Sequence, residues 1–232
     1  MEHLETPETL YLKGLIPQER EPALSLRSYG EEHQVPIIPV DTANMLRTLM
    51  VMHKPVRILE IGTAIGYSAA VMLEFPWVEK IVTLEKSEES AALAKEFMEK
   101  AGYKKRVEIL VGDAMETLKG VEGEYDMIFI DAAKGHYMDF LRLSAEKLKV
   151  GGLFVCDNVL FRGMLADRAK FKRRKVTIVK RLKKFLNFIS DCPELQSSVL
   201  NVGDGLSISV KLAQLEFPEE PAVVESEDYS AR

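Results

Sequence analysis

Apolar residues in this chain fall into two patterns. Short continuous runs occupy residues 56–61, 81–85, 107–111, 126–131 and 152–157. Runs of this length, bounded by glycine or charged residues, predict strands. Between them the apolar positions recur at helical spacing, most clearly over 87–101 and 137–148. Ser87, followed by Ser90 and an alanine- and leucine-rich stretch, marks a helix start. Strand and helix in alternation predict an α/β fold with a parallel sheet covered on both faces.

The flanks extend the pattern. Residues 7–52 are mostly helical in spacing, with a loop over 31–39 where Pro36 and Pro39 remove backbone donors and fix φ. After the fifth strand, Val176, Val179, Leu182, Phe185, Leu186 and Ile189 repeat at the period of an amphipathic helix. Two last strands are expected at 198–202 and 206–212, joined by Gly203-Asp204-Gly205. The stretch from Phe217 onward is rich in Glu and Pro and predicts disorder. Residues 1–216 therefore read as one domain, with 217–232 as an acidic tail. No internal repeat interrupts this order.

Charge adds an asymmetry that the net value of −5 hides. Ten of the 31 Lys and Arg residues fall between 168 and 184, where no acidic residue occurs. The remaining 21 are outnumbered by 36 Asp and Glu, so a mildly acidic body carries one basic segment. Such a segment suits an anionic partner, and a solvated helix face is the plainer alternative. The two cysteines, Cys156 and Cys192, form no CxxC or zinc pattern, and Cys156 sits in an apolar run as a core thiol. A reducing cytoplasm is the expectation. The N-terminus has neither the basic start nor the apolar stretch of a signal peptide, and no span is long enough for a membrane.

Chemistry-bearing residues sit where the strands end. Glu60, Glu85, Asp131 and Asp157 close or follow four of the strands, and Gly112-Asp113 follows the third. In an open parallel sheet these positions share one rim, and ligands bind there. Glu60-Ile61-Gly62-Thr63-Ala64-Ile65-Gly66-Tyr67-Ser68 follows the first strand and opens a helix. Its glycines allow close approach of a ligand, and the helix start offers free N–H groups to an anion. The methionine carboxylate of S-adenosylmethionine suits that end, with Glu60 facing the ammonium. The spacing is GxxxG and lacks the middle glycine of the GxGxxG dinucleotide fingerprint. Glu85 is the residue type that takes a ribose diol, and Gly112-Asp113-Ala114 fits an adenine edge.

Asp131, Asp157 and Asn158 supply two carboxylates and an amide oxygen, hard ligands that leave room on Mg²⁺ for substrate oxygens. No His or Cys set competes for zinc. Helix capping is the bland alternative for both aspartates. Lys134 stands three residues beyond Asp131, either as a partner for a reacting hydroxyl or as a solvated loop residue. His33 and His136 receive no role.

The donor loop, the string Phe129-Ile130-Asp131-Ala132-Ala133-Lys134-Gly135, the pair Asp157-Asn158 and Gly203-Asp204-Gly205-Leu206 resemble the catechol and caffeoyl-CoA O-methyltransferase family over residues 31–211. Within it the chain is similar to the bacterial tRNA 5-hydroxyuridine methyltransferases. That likeness rests on Glu31-Glu32-His33, Val35-Pro36-Ile37, Asp157-Asn158-Val159-Leu160-Phe161 and Lys172-Arg173-Arg174. The resemblance implies a Rossmann-like class I methyltransferase with a seven-stranded, mostly parallel sheet whose last strand is reversed. It implies Mg²⁺, or another divalent cation such as Mn²⁺, on Asp131, Asp157 and Asn158. Lys134 would be the base or charge partner. The donor cavity would be lined by Ile38, Glu60, Gly62, Ser68, Glu85, Asp113, Ala114 and Asp131.

Two acceptors share the chemistry that such a site requires. Catechol and 5-hydroxyuridine each carry two adjacent oxygens that chelate a cation, which lowers the hydroxyl pKa. The basic segment bears on the choice between them, with a solvated helix face as its plainer reading; the resemblance implies tRNA, and a small catechol-like phenol is the alternative. A non-catalytic donor- or RNA-binding protein is the reading from another class, and the intact Asp131, Lys134, Asp157, Asn158 set speaks against it. The resemblance and the apolar residues Leu4, Leu10, Leu12, Leu15 and Ile16 also imply a homodimer paired through the N-terminal segment.

Overall fold

The computed structural model describes residues 6–167, 170 and 172–217. Seven strands form its sheet: β1 (Arg57–Ile61), β2 (Lys80–Glu85), β3 (Val107–Val111), β4 (Tyr125–Ile130), β5 (Leu148–Cys156), β6 (Leu195–Leu200) and β7 (Leu206–Lys211). Their order is β3-β2-β1-β4-β5-β7-β6. The pairs from β3 to β5 are parallel, and β7 runs antiparallel to both β5 and β6. This is a Rossmann-like, mostly parallel arrangement, with the last strand reversed as expected. The strand order switches direction between β1 and β4, which opens a crevice beyond their carboxyl ends.

Side chains alternate across the sheet with a period of two. Leu59, Ile61, Val82, Leu84, Ile128 and Ile130 face one core. That core is closed by α6 (Ala114–Gly120), α7 (Tyr137–Ser144) and α8 (Val176–Asp191). Ile58, Ile81, Met127 and Phe129 face the other. There α2 (Ala23–Glu32), α3 (Val40–His53), α4 (Tyr67–Leu73) and α5 (Glu88–Lys100) cover the sheet. The first helix, α1 (Pro7–Gly14), buries no residue.

Several expected boundaries move. The expected helix 137–148 ends at Ser144, followed by a 3-10 turn over Ala145–Lys147. Strand β5 then starts at Leu148, four residues before its expected start of 152, and runs through Gly151 and Gly152. Strand β6 lies three residues earlier than its expected start of 198, because Leu195 is its buried anchor and Gln196 and Ser197 are ladder residues, not turn residues. The start of α5 is as expected: Ser90 N donates to the Ser87 hydroxyl at 3.2 Å. The disorder expected beyond residue 217 and the basic residue Arg168 lie outside the described residues.

Three further observations bear on function. Helix α8 buries Val179, Leu182, Phe185 and Ile189 and exposes Lys180, Arg181, Lys183 and Lys184. Among the described residues no helix is long and apolar enough to cross a membrane. Cys156 and Cys192 are both buried free thiols.

Candidate active site

A cavity of about 670 Å³ opens at the carboxyl ends of β1, β2 and β4. Its floor is the turn after β1. Gly62 has φ +103°, and a Cβ there would lie 2.0 Å from the Asp131 carbonyl oxygen, so only glycine lets the turn pass so close to the end of β4. Gly66, at φ +87°, starts α4, and a Cβ there would meet the Met98 terminal methyl at 2.7 Å. The spacing of the two glycines is thus set by contacts with β4 and α5.

Seven of the eight residues expected to bind the donor line this cavity: Ile38, Gly62, Ser68, Glu85, Asp113, Ala114 and Asp131. Glu60 does not. Its side chain is fully buried beneath the floor, where Ser68 Oγ donates to it at 2.5 Å and the Thr83 hydroxyl donates to its other oxygen. The expectation that Glu60 faces a ligand ammonium is therefore corrected. The parallel register sets Glu60 opposite Thr83 and spends its oxygens inside the sheet. Burial pushes the Glu60 pKa up to about 7, against the pull of those two hydroxyls.

Glu85 holds the wall of the cavity. Its two oxygens accept the backbone N–H groups of Ala64 and Ser87, each at 2.8 Å, which ties the β1 turn to the end of β2. Asp113 caps α6 through Met115 N at 3.0 Å and pairs with Lys86 at 2.8 Å, so both charged groups mark one mouth of the cavity.

The expected metal-ligand residues come together at the other end. The Asn158 amide nitrogen donates to Asp131 Oδ1 at 3.0 Å and to Asp157 Oδ2 at 2.8 Å. Asp157 is fully buried, and its Oδ1 has no hydrogen-bond partner. Burial and the neighbouring Asp131 push the Asp157 pKa up to about 8. Burial also raises that of Asp131, and Lys134 and Asn158 oppose the rise. Asp131 and Lys134 line the cavity, whereas Asp157 and Asn158 stand behind Asp131. The buried Asp157 carboxylate, with one unpaired oxygen, stands beside the partly exposed Asp131 carboxylate, and Lys134 is the nearby positive group. An all-oxygen set of this kind suits a hard divalent cation, with the Asn158 amide turned to offer its oxygen.

Asn158 itself has φ 60°, as Phe161 and Arg162 have φ 48° and 56°. The residues 203–205 hold this bent segment, since Val159 N and Leu160 N donate to the carbonyls of Gly205 and Asp204 and Arg162 N donates to Asp204 Oδ1.

Sequence reasoning missed part of the lining. Tyr67, Met115, Ala132, Ala133, His136 and Phe140 also face the cavity. His136 had no assigned role, and here it bonds Asp139 at 3.0 Å beside the mouth. A polar Thr83 in the middle of an apolar strand was the one available signal for the support beneath Ser68.

The basic helix lies against this site. It packs on the turn Lys134–His136, and Arg181 donates to the Gly135 carbonyl at 3.2 Å. Lys172, Arg173, Arg174, Lys183 and Lys184 are exposed and have no carboxylate partner among the described residues.

Known proteins share the arrangement. Residues 20–212 match the O-methyltransferase family model. Caffeoyl-CoA O-methyltransferase 1 of Eucalyptus globulus is 30% identical over 213 residues, covering 86% of this chain and 85% of that protein. A Staphylococcus aureus structure assigned to the caffeoyl-CoA O-methyltransferases superposes with a TM-score of 0.80 at 33% identity, over 87% of this chain and 98% of that one. A Podospora anserina methyltransferase solved with S-adenosylhomocysteine superposes with a TM-score of 0.77 at 26% identity, over 88% and 93% of the two chains. With cavity, strand order and sequence in agreement, the chain belongs to the S-adenosylmethionine-dependent O-methyltransferase family.

Proposed function

We propose that this protein moves the methyl group of S-adenosylmethionine to the 5-hydroxyl of 5-hydroxyuridine in tRNA, giving 5-methoxyuridine at the wobble position, with a divalent cation at the acceptor. The observation that carries the chemistry is the meeting of Asp131, Asp157 and Asn158 at the end of the donor cavity, with one buried Asp157 oxygen unpaired. These three residues would hold the cation, Mg²⁺ or Mn²⁺. Bound there, such an ion supplies Lewis acidity that favours the ionised form of the acceptor hydroxyl.

The chain's own residues do the rest. Ser68, Glu85 and Asp113 orient the donor along the cavity. Lys134, on the wall shared with Asp131, accepts the hydroxyl proton as a neutral amine or stabilises the oxyanion as an ammonium. The acceptor oxygen forms a bond to the methyl carbon as the carbon–sulfur bond breaks, and S-adenosylhomocysteine leaves. Alignment of oxygen, methyl and sulfur accounts for much of the acceleration.

Support for tRNA comes from the exposed basic face of α8 beside the turn that bears Lys134. Lys and Arg on such a face neutralise phosphates and guide a polyanion to the mouth. A second reading, a small catechol-like phenol, draws support from the caffeoyl-CoA enzyme among the relatives. Incubation with S-adenosylmethionine, Mg²⁺ and tRNA containing 5-hydroxyuridine, followed by nucleoside mass spectrometry, separates them. Methylated nucleoside is the expected product. Turnover of a catechol with none of the tRNA would establish the phenol reading instead. The exposed apolar side chains of Leu10, Tyr11 and Leu12 on α1, and of Leu15 just after it, support a homodimer joined at that helix.

A further inference from the structure

Five side chains outside the reacting centre form a cluster beside the donor cavity. Glu19, in the segment between α1 and α2, has a side chain only 4% exposed. It is bonded by Arg27 of α2, by Arg47 of α3 at 3.1 Å, and by the Tyr67 hydroxyl at the start of α4. Arg27 also donates to that hydroxyl, and its guanidinium lies 4.6 Å from the centre of the tyrosine ring. Arg47 reaches the other way to Glu74, just past α4, at 2.7 and 2.9 Å. Among these five side chains two guanidiniums meet two carboxylates, and Arg27 also lies 3.8 Å from the exposed Glu31 carboxylate.

Bringing four charges together at partly buried positions is a costly way to hold a fold, because apolar packing does the same with less desolvation. What apolar packing does not do is fix one hydroxyl in one place. Here both the donor and the acceptor capacity of the Tyr67 hydroxyl are used, by Glu19 and Arg27 respectively. Tyr67 is the member that reaches the chemistry: it is 1% exposed and lines the donor cavity next to Ser68. The same cluster fastens α2 to α4, and residues 35–38, which follow α2, line the cavity as well.

We infer that Glu19 and Arg27 are positioning residues for the methyl donor, acting through Tyr67 to set the wall of its cavity. The inference rests on the donor and is independent of which acceptor is used. Each residue comes from a different part of the chain, so no local motif contains the device. Glu74 belongs to the cluster but touches neither Tyr67 nor the cavity.

That difference supplies the test, with calorimetric binding of S-adenosylhomocysteine as the readout. Tyr67→Phe deletes one oxygen and keeps the ring, and it is expected to raise the dissociation constant about 10-fold, as does Glu19→Ala. Glu19→Gln keeps an oxygen for the tyrosine and is expected to restore most of the affinity. Glu74→Ala is expected to lower the melting temperature and leave the dissociation constant alone. Unchanged affinity in Tyr67→Phe overturns the inference, and that variant decides alone if Glu19→Ala does not fold. Equal loss in Glu74→Ala and Glu19→Ala also overturns it, since the cluster would then be plain support for the fold. Wild-type protein that binds no S-adenosylhomocysteine would overturn the donor reading and this inference together.

Discussion

Ser68 donates its hydroxyl to Glu60 at 2.5 Å, from the surface of the donor cavity into the fully buried layer beneath it. Glu60 is therefore joined to the cavity wall through the serine. Thr83 holds the second oxygen from the neighbouring strand, so the carboxylate is locked between β1, β2 and α4. A buried acid with only hydroxyl partners is easier to keep protonated than ionised.

The first prediction follows from that protonation. Burial raises the Glu60 pKa from 4.5 to about 7 in the donor-free protein. The folded state then binds the proton more tightly than the unfolded one. Its contribution to stability is full below pH 4.5 and is lost as pH rises through 7, a decline of about 3 kcal/mol. Glu60→Gln should flatten this part of the stability curve, read by urea unfolding at several pH values. An unaltered slope in the variant would mean that Glu60 keeps an ordinary carboxyl pKa in the folded state.

Glu85 offers a second. Its carboxylate braces two backbone N–H groups and still lines the cavity. Glu85→Ala is expected to weaken donor binding by about 1–3 kcal/mol, the scale for losing hydrogen bonds to a charged group. Calorimetry with S-adenosylmethionine reads this directly. Unchanged affinity would leave Glu85 as a brace for the loop and nothing more.

The third concerns the cation. Activity should vanish with a chelator and return with added Mg²⁺, because the ligand set is all oxygen. Asp157→Asn should require far more Mg²⁺ for the same rate. Full turnover by metal-free protein would remove the cation from the proposed chemistry.

How far the sequence reached can be judged at particular residues. Strands β1 to β4 were legible because they are short, apolar and flanked by glycine or charge, and the rim of acids followed from them. Strand β6 was misplaced because an edge strand with one buried anchor, Leu195, leaves little periodicity. Glu60 was assigned to the ligand because its position after a strand is visible in sequence, whereas its pairing with Thr83 depends on register. The Glu19–Arg27–Tyr67 cluster was not legible at all, since its bonds span 40 and 48 residues. Lys211 reads as an ordinary strand-end lysine, yet it is buried with its ammonium on the carbonyls of Ala145 and Leu148.

The last prediction separates tRNA from small phenols. Lys172, Arg173 and Arg174 are exposed in the turn just before the basic helix, away from the donor cavity lining. Neutralising all three should weaken tRNA binding and flatten its dependence on salt. Each lost phosphate contact lowers the log–log slope by roughly 0.7 to 0.9. A catechol carries no phosphate, so its methylation should hardly change, and the donor should bind as before. The comparison is the triple variant against wild type on tRNA containing 5-hydroxyuridine and on a catechol, at low and moderate salt. Selective loss on tRNA is the expected outcome. Retention of both the rate and the salt slope on tRNA would make this face a solvated helix surface. Equal loss on both substrates would indicate a damaged fold, because α8 packs directly on the turn that carries Lys134.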